Sequence, residues 1–170
     1  MRAELRELAG VYSIELWFWN GMPNNSRAVT GYLFSRGPEG PEGTGADSLG
    51  ISGAYGSPGR LFLFNGNALN QSLAGKTILA PETWNHIVLV REGTAARLYL
   101  NGASAPEFDG DLRVGHKAGV ARIFLGGRND NFANFSGKLA EPALYDRALN
   151  LEEIGRHYRA AQQGPNHQVK

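Results

Sequence analysis

Apolar and polar residues alternate along several short runs of the chain. Residues 12–19 read YSIELWFW, in which Ile14 and Leu16 alternate with polar or aromatic side chains. Because successive side chains of a β-strand point to opposite faces, this pattern predicts a strand with an aliphatic inner face and an aromatic outer face. Trp17 and Trp19 fall on the opposite face from Ile14 and Leu16. They either pack against the second sheet or form an exposed aromatic platform, and we expect them to be packed.

Six further runs have the composition of strands, because they are rich in branched and aromatic residues and are bounded by Gly, Pro or Asn. They span residues 30–35, 49–52, 60–64, 83–91, 96–100 and 121–125. The run 96–100 ends at Asn101-Gly102, a dipeptide that tolerates the positive φ angles of a tight turn. The pattern predicts an all-β protein with antiparallel pairing.

One segment near the end has a helical pattern instead. Asn150 and Glu153 have the spacing of a capping box, and Leu151, Ile154 and Tyr158 then share one helix face. We therefore predict one short C-terminal helix that packs on the sheets. Residues 162–170 are polar and lack periodicity, so the predicted organisation is one domain, residues 1–161, followed by a polar tail.

Composition excludes several classes of protein. The 170 residues suit one domain, and 17 Lys and Arg against 16 Asp and Glu give a net charge of +1, which provides no field that attracts nucleic acid. The chain has no cysteine, so disulfides and thiolate chemistry are excluded. No apolar stretch reaches the roughly 20 residues of a membrane helix, so we expect no membrane insertion.

Acidic residues offer one candidate for catalysis or metal binding. Glu107, Asp109 and Asp111 alternate, and retaining glucanases need two carboxylates about 5 to 5.5 Å apart. Pro106 and Gly110 disfavour a strand here, so we predict a solvated loop without catalysis. Asp109 and Asp111 remain a weak candidate for a Ca²⁺ site, since calcium binds several oxygens of a flexible loop.

The segment 126–135 mixes amides, an acid, a guanidinium and two aromatic rings. Such a mixture suits sugar recognition, because amides and carboxylates bind hydroxyls while rings stack on apolar sugar faces. A purely structural turn is the alternative, since Asn and Asp also satisfy their own backbone. The candidate ligand-binding residues are Arg128, Asn129, Asp130, Asn131, Phe132 and Asn134.

Two other polar features are weaker candidates. The loop NGNALNQ carries Asn65, Asn67, Asn70 and Gln71, which either bind a polar ligand or make turns. His86 lies within a strand pattern and has no other metal ligand at suitable spacing, so we expect a structural histidine.

Four segments together carry a resemblance to a known family: YSIELWFW, WNHIVLVREG followed by ARLYLNG, RIFLGGR, and FSGKLAEPALYDRALNLEEI. Their order and spacing resemble the laminin-G-like domains of the concanavalin-A-like lectin/glucanase superfamily. The resemblance implies a two-sheet antiparallel jelly-roll sandwich, carried by large exported bacterial proteins in an extracellular, cell-surface or periplasmic location. Family members usually open with another strand, which residues 3–8 either replace or leave missing. Ala140 stands where the family often has an Asp of a calcium site.

The function that follows is a non-catalytic binding or adhesion module within a larger exported protein, which recognises a carbohydrate or a protein surface through its rim loops. A structural spacer that contacts only neighbouring domains of its parent is the alternative. A glycoside hydrolase or lyase is less favoured, because no carboxylate pair is found on a predicted strand.

Overall fold

The computed structural model describes residues 2–5, 10–37, 47–114, 121–128 and 130–163. Within these ranges the chain forms strands and one helix in the following order: β1 (Arg2–Leu5), β2 (Val11–Asn20), β3 (Val29–Gly37), β4 (Asp47–Ser52), β5 (Leu61–Phe64), β6 (Ser72–Ala74), β7 (Trp84–Glu92), β8 (Ala95–Leu100), β9 (Phe108–Asp111), β10 (Ala121–Leu125), β11 (Gly137–Tyr145) and α1 (Leu151–Gln162).

The strands form two antiparallel sheets. One sheet has six strands in the order β1-β10-β3-β4-β5-β6, and the other has five in the order β11-β2-β7-β8-β9. Strand β1 pairs with β10, so the first residues supply the opening strand. The two-sheet jelly-roll sandwich with one C-terminal helix is confirmed.

The main core lies between the sheets, where the alternating pattern of β2 places its aliphatic residues. Ile14 and Leu16 are buried against residues of the six-stranded sheet such as Leu49 and Leu63. Each buried side chain of this size stabilises the fold by about 1.5–3 kcal/mol. The tight turn after β8 is confirmed, since Asn101 and Gly102 have φ angles of 51° and 69°.

A buried polar cluster joins the two sheets. Arg91 on β7 donates from Nε and Nη2 to the carboxylate of Asp47 on β4, at 3.0 and 3.1 Å. Tyr12 of β2 donates its hydroxyl to the same carboxylate at 2.6 Å. Burial, followed by the charge of Asp47, holds the pKa of Tyr12 well above its usual range. Because both charges are buried, each needs the other, so the cluster fixes the sheets' relative position.

The acidic segment was predicted to be a solvated loop, but the structure shows a strand there. Phe108–Asp111 is strand β9, paired with β8 at the edge of the five-stranded sheet. Pro106 precedes this strand, and Gly110 faces Leu73, whose Cδ2 would lie 3.0 Å from an added Cβ. An edge strand tolerates this glycine, and the burial of Phe108 in the core holds the strand in register.

The predicted capping box begins helix α1. The side chain of Asn150 accepts from the Glu153 amide at 2.9 Å, while Glu153 accepts from the Asn150 amide at 3.0 Å. The helix packs on the outer face of the five-stranded sheet through Ile154, which joins Val88 and Val90 in a second apolar cluster. The helix ends at Gln162, and residues 164–170 of the predicted tail lie outside the described chain.

Candidate functional site

The segment 126–135 is here called the rim loop, and its described residues, 126–128 and 130–135, lie against strand β3 and the outer face of the six-stranded sheet. Its backbone is held by hydrogen bonds from Gly126 to the carbonyl of Leu33, at 2.9 Å, and from Tyr32 to the carbonyl of Ala133, at 3.0 Å. Both partners belong to β3. The rim loop is therefore docked on the sheet at its beginning and near its end.

Arg128 and Asp130 organise this loop by pairing with each other. Arg128 Nε donates to Asp130 Oδ1 at 2.8 Å, and Nη2 pairs with the second carboxylate oxygen. Asp130 Oδ1 also accepts from the Phe132 amide at 3.1 Å. Burial raises the pKa of Asp130, but the hydrogen bonds from Arg128 and Phe132 outweigh it and the pKa is lowered. Both charges are thus used within the loop, where they fix its shape.

Phe132 is the exposed aromatic residue of the rim loop. Its ring lies 4.8 Å from the guanidinium carbon of Arg128 and is 48% exposed. The neighbouring Asn131 has a φ of 66°, a left-handed conformation that Asn accepts more readily than most residues. Asn134 Nδ2 lies 3.5 Å from Asn131 Oδ1. The sixth predicted ligand-binding residue, Asn129, lies outside the described residues.

Aromatic side chains form the sheet surface beside the rim loop. Phe62 and Phe64 of β5 alternate with the core residues Leu61 and Leu63, so they point to the outer face. The rings of Phe62 and Tyr32 meet edge to face, with centroids 5.5 Å apart. The Tyr32 ring in turn lies 5.4 Å from the Arg128 guanidinium carbon. The exposed Phe132 is thus connected to the sheet through a series of contacts, from its ring to Arg128, Tyr32 and Phe62.

A cavity of about 310 Å³ opens on the same face, next to Phe62. Its lining combines aromatic, hydroxyl and cationic side chains, among them Tyr55, Phe62, Ser52, Ser57, Ser72 and Arg60. A volume of this size is at the lower end of the range for small-ligand pockets, which begins at about 300 Å³. The cavity suits one small ring.

Tyr55 is displayed by a loop whose backbone is fixed. Its ring is 91% exposed. The amides of Ala54 and Tyr55 donate to the carbonyls of Arg27 and Ala28 at 2.9 and 3.3 Å. Gly53 packs so closely against the carbonyl of Arg27 that a Cβ there would clash. Because the backbone is already held, a contact through this ring needs no ordering of the loop, which favours a contact surface.

On the opposite side of the sandwich, Glu15 of β2 is buried beneath helix α1. One carboxylate oxygen lies 2.7 Å from His86 Nε2, and the other lies 2.9 Å from His157 Nδ1 and 3.0 Å from the Tyr145 hydroxyl. Burial raises the pKa of Glu15, but hydrogen bonds from His86, His157 and Tyr145 outweigh it, so the pKa is lowered.

A second cavity, of about 320 Å³, is lined by Glu15 and Glu141. A carboxyl with a lowered pKa is a poor proton donor near neutral pH, so Glu15 lacks the property of a general acid.

The packing predictions for His86 and Trp17 hold, although the partner of Trp17 differs from the one expected. Trp17 is buried against α1, stacked on Tyr158 with centroids 5.6 Å apart, rather than against the second sheet. Trp19 is partly exposed and lies 4.9 Å from the Lys138 ammonium. His86 is fully buried beside Trp17 and Glu15, in the position of a structural histidine.

The acidic candidates Glu107 and Asp111 have different hydrogen-bond partners. Both carboxylate oxygens of Glu107 accept hydrogen bonds from Lys76 and Thr77, while Asp111 accepts from Thr94 at 2.9 Å. The described residues contain no group of three His, Cys, Asp or Glu placed to hold a metal. Calcium takes about six to eight oxygens, far more than Asp109 and Asp111 supply, so the calcium site stays a prediction that these contacts do not favour.

In the amide-rich loop, the contacts of Asn65 are those of a residue that stabilises a turn. It is fully buried, and its side chain donates to Gln71 Oε1 at 3.1 Å and to the Arg113 carbonyl at 3.2 Å. Asn70 has a φ of 51°. These contacts favour the turn-forming alternative for the loop.

Sequence reasoning missed three residues of the cavity: Tyr55, Arg60 and Phe62. The sequence does contain a signal for Phe62, because this residue alternates with the core leucines as Trp17 alternates with Ile14 and Leu16. Tyr55 also had one, since a tyrosine among Ser and Gly is typical of binding loops. Arg60 had none, because its surroundings are created by the fold.

Solved structures with the same fold include several carbohydrate-related proteins. Domain 4 of AbnA, a GH43 extracellular arabinanase from Geobacillus stearothermophilus in complex with arabinotriose, has a TM-score of 0.62 and 20% identity, over 86% of this chain and 66% of that one. The Ruminococcus gnavus IT-sialidase CBM40 bound to α2,3 sialyllactose has a TM-score of 0.63 and 17% identity, over 88% and 83%. Trypanosoma rangeli sialidase has 0.65 and 16%, over 90% of this chain but only 23% of its own length.

This chain thus spans just under two thirds of the arabinanase domain and less than a quarter of the sialidase. A search of curated proteins finds no match to it. Helix α1 is neither long nor apolar enough to cross a membrane, and it is the one helix of the described residues. Residues 4–155 match the family Laminin_G_3, and the chain therefore belongs to the concanavalin A-like lectin/glucanases superfamily.

Proposed function

We propose that this domain is a non-catalytic carbohydrate-binding module, and that its binding surface is the outer face of the six-stranded sheet with the rim loop. One observation carries the proposal: Phe132 is half exposed, and its backbone amide and ring contact the paired Asp130 and Arg128. A preorganised ring of this kind stacks on the apolar face of a sugar at little entropic cost. The arabinotriose and sialyllactose complexes of the fold relatives support the same ligand class.

A glycan array tests this function. We expect saturable binding of the wild type to at least one glycan, and we expect Phe132→Ala to weaken it by roughly twofold to tenfold, the contribution of one aromatic contact. Leu151→Ala is the matched control, since Leu151 is 49% exposed but lies on α1 across the sandwich. Equal losses in both variants, or no glycan bound at all, would overturn the proposal.

The predicted rim-loop residues are tested by the double variant Asp130→Ala, Asn131→Ala. Removing the carboxylate frees Arg128 and the Phe132 amide, so the loop loses the contacts that fix its shape. We expect a larger loss of glycan affinity than in Phe132→Ala, with an unchanged far-UV circular dichroism spectrum. Unchanged affinity would exclude the rim loop from the binding surface.

We infer further that the module acts outside the cell as part of a larger exported protein, where it recognises carbohydrate or a glycan-bearing protein surface. The extracellular arabinanase among the fold relatives supports this setting. Digestion of intact source cells with an added protease tests it, because only an exported domain is then degraded. Protection of the domain in intact cells would contradict the inference.

A further inference from the structure

The cavity beside Phe62 contains an arginine that faces no carboxylate. Four other arginines, Arg91, Arg97, Arg128 and Arg147, each pair with an Asp or Glu. In the described chain no acidic side chain lies within ion-pair distance of Arg60, although it lines the cavity. A guanidinium in a pocket without a counterion is a ready partner for an anion, especially one with two oxygens in a plane.

The groups around Arg60 are those that bind a sugar ring. Tyr55 supplies an exposed ring at the mouth, and Phe62 supplies an apolar wall. The hydroxyl-bearing residues Ser52, Ser57 and Ser72 complete a polar lining. Gly56 packs against Ser52, whose Oγ would lie 2.5 Å from an added Cβ, so this loop closes tightly over the strand. The cavity combines one cation, two rings and small hydroxyls in a space for one ring.

We propose that this cavity is a subsite for an anionic sugar, in which Arg60 binds the carboxylate or sulfate group while Tyr55 packs against the ring. The proposal rests on the carbohydrate-binding function above and adds the charge class of the ligand. A neutral sugar gains from Arg60 only hydrogen bonds to its hydroxyls, whereas an anionic sugar also gains the attraction of the charge, so the subsite favours acidic glycans.

The subsite is continuous with the rim loop. Phe62 of the cavity meets Tyr32 edge to face, and Tyr32 lies beneath Arg128. Arg27, next to the cavity residue Ala28, donates to the carbonyls of Thr30 and Asn134 and so ties the cavity wall to the rim loop. The cavity and Phe132 therefore belong to one connected surface.

Matched pairs of oligosaccharides test the subsite. Each acidic member, either a carboxylated oligosaccharide such as an oligogalacturonate or sialyllactose, or a sulfated one, is compared with its methyl ester or desulfated parent. We expect the acidic member to bind at least about tenfold more tightly, the usual gain of a charged hydrogen bond, and the preference to shrink as salt is raised. A preference only for carboxylated, or only for sulfated, pairs supports the subsite and identifies the anion.

Two variants separate charge from stacking. Arg60→Gln should abolish the preference for the acidic member, whereas Arg156→Gln, which changes an exposed arginine on α1, should keep it. Tyr55→Ala should weaken both members of a pair by the same factor. Equal binding of acidic and neutral members by the wild type, or a preference that survives Arg60→Gln, overturns the subsite but leaves the carbohydrate-binding function standing. Absence of binding to every glycan overturns both.

Discussion

The two outer faces of the sandwich are formed by strands with similar patterns, but they are covered by different parts of the chain. On the five-stranded sheet, α1 covers the aromatic side: Trp17 is buried beneath Tyr158, and Glu15 is satisfied by His86 and His157. On the six-stranded sheet, the rim loop lies over Tyr32 and leaves a cavity next to it. An outward aromatic residue thus belongs to a core or stays at the surface according to what covers it.

One polar group on each face, Glu15 and Arg60, shows a similar difference. Beneath α1 the Glu15 carboxylate accepts from three side chains, which leaves it little capacity to bind a ligand. On the other face, Arg60 faces a cavity without an acidic partner among the described residues. The Glu15 carboxylate thus stabilises the fold, while the Arg60 guanidinium stays available to an anion.

The largest expected effect on stability is at the covered face. Trp17→Ala removes a buried ring that packs on both Tyr158 and His86. We expect the free energy of unfolding to fall by about 3–5 kcal/mol, as for other buried Trp→Ala substitutions. Urea unfolding followed by circular dichroism measures it. A loss below about 0.5 kcal/mol, the usual limit of a surface effect, would show that α1 does not make this face part of the core.

Most of the fold could be predicted from the sequence, because strand alternation, turn dipeptides and a capping box are local signals. The strand of residues 12–19 and the box of Asn150 and Glu153 are examples. Strand β9 could not, since Gly110 is tolerated only at a sheet edge beside Leu73, a residue distant in sequence. Local rules describe a residue's own preference and miss what a neighbouring strand permits.

The candidate site was predicted less completely for the same reason. The rim loop was recognisable from its mixture of residue types, but the mutual pairing of Arg128 and Asp130 depends on the loop's folded shape. The covering of Trp17 by α1 depends on a residue from the far end of the chain. Whether a charge is satisfied or open is a property of the assembled molecule, as the contrast between Glu15 and Arg60 illustrates.

A smaller loss is expected when Glu15 is changed to Gln. The variant keeps one carbonyl acceptor but loses the charge that attracts His86, His157 and Tyr145, so we expect about 1–3 kcal/mol less stability at neutral pH. The pKa of Glu15 is lowered in the folded state. Its stabilisation is therefore complete above the ordinary Glu pKa of about 4.3 and is lost as pH falls towards the folded pKa.

Unfolding free energies measured at a series of pH values below about 5 test this sign. The wild type should lose more stability than Glu15→Gln over that interval, and the curves should converge at the acid end. Glu153, whose pKa is lowered to about 2 by hydrogen bonds from Arg147 and the Asn150 amide, contributes equally to both proteins and cancels in the difference. Parallel curves would contradict the role assigned to Glu15.

Asn150→Ala should cost about 1 kcal/mol, the usual value for a lost helix cap. The substitution removes the acceptor for the Glu153 amide at the start of α1. Because the helix covers only one face, hydrogen exchange should increase in α1 while the amides of β3, β4 and β5 keep their protection. Uniform acceleration across both sheets would show that the covered face has no independent local stability.

The smallest expected effect on stability is at Tyr55. Since its ring is almost fully exposed, Tyr55→Ala should change the free energy of unfolding by less than about 0.5 kcal/mol. Chemical denaturation measures this in the same experiment as Trp17→Ala, which removes another large aromatic side chain. An exposed ring on a fixed backbone that contributes little to folding is available for the sugar contact proposed for Tyr55. A loss of several kcal/mol would instead place Tyr55 with Trp17, as packing, and the contrast between the two faces would disappear.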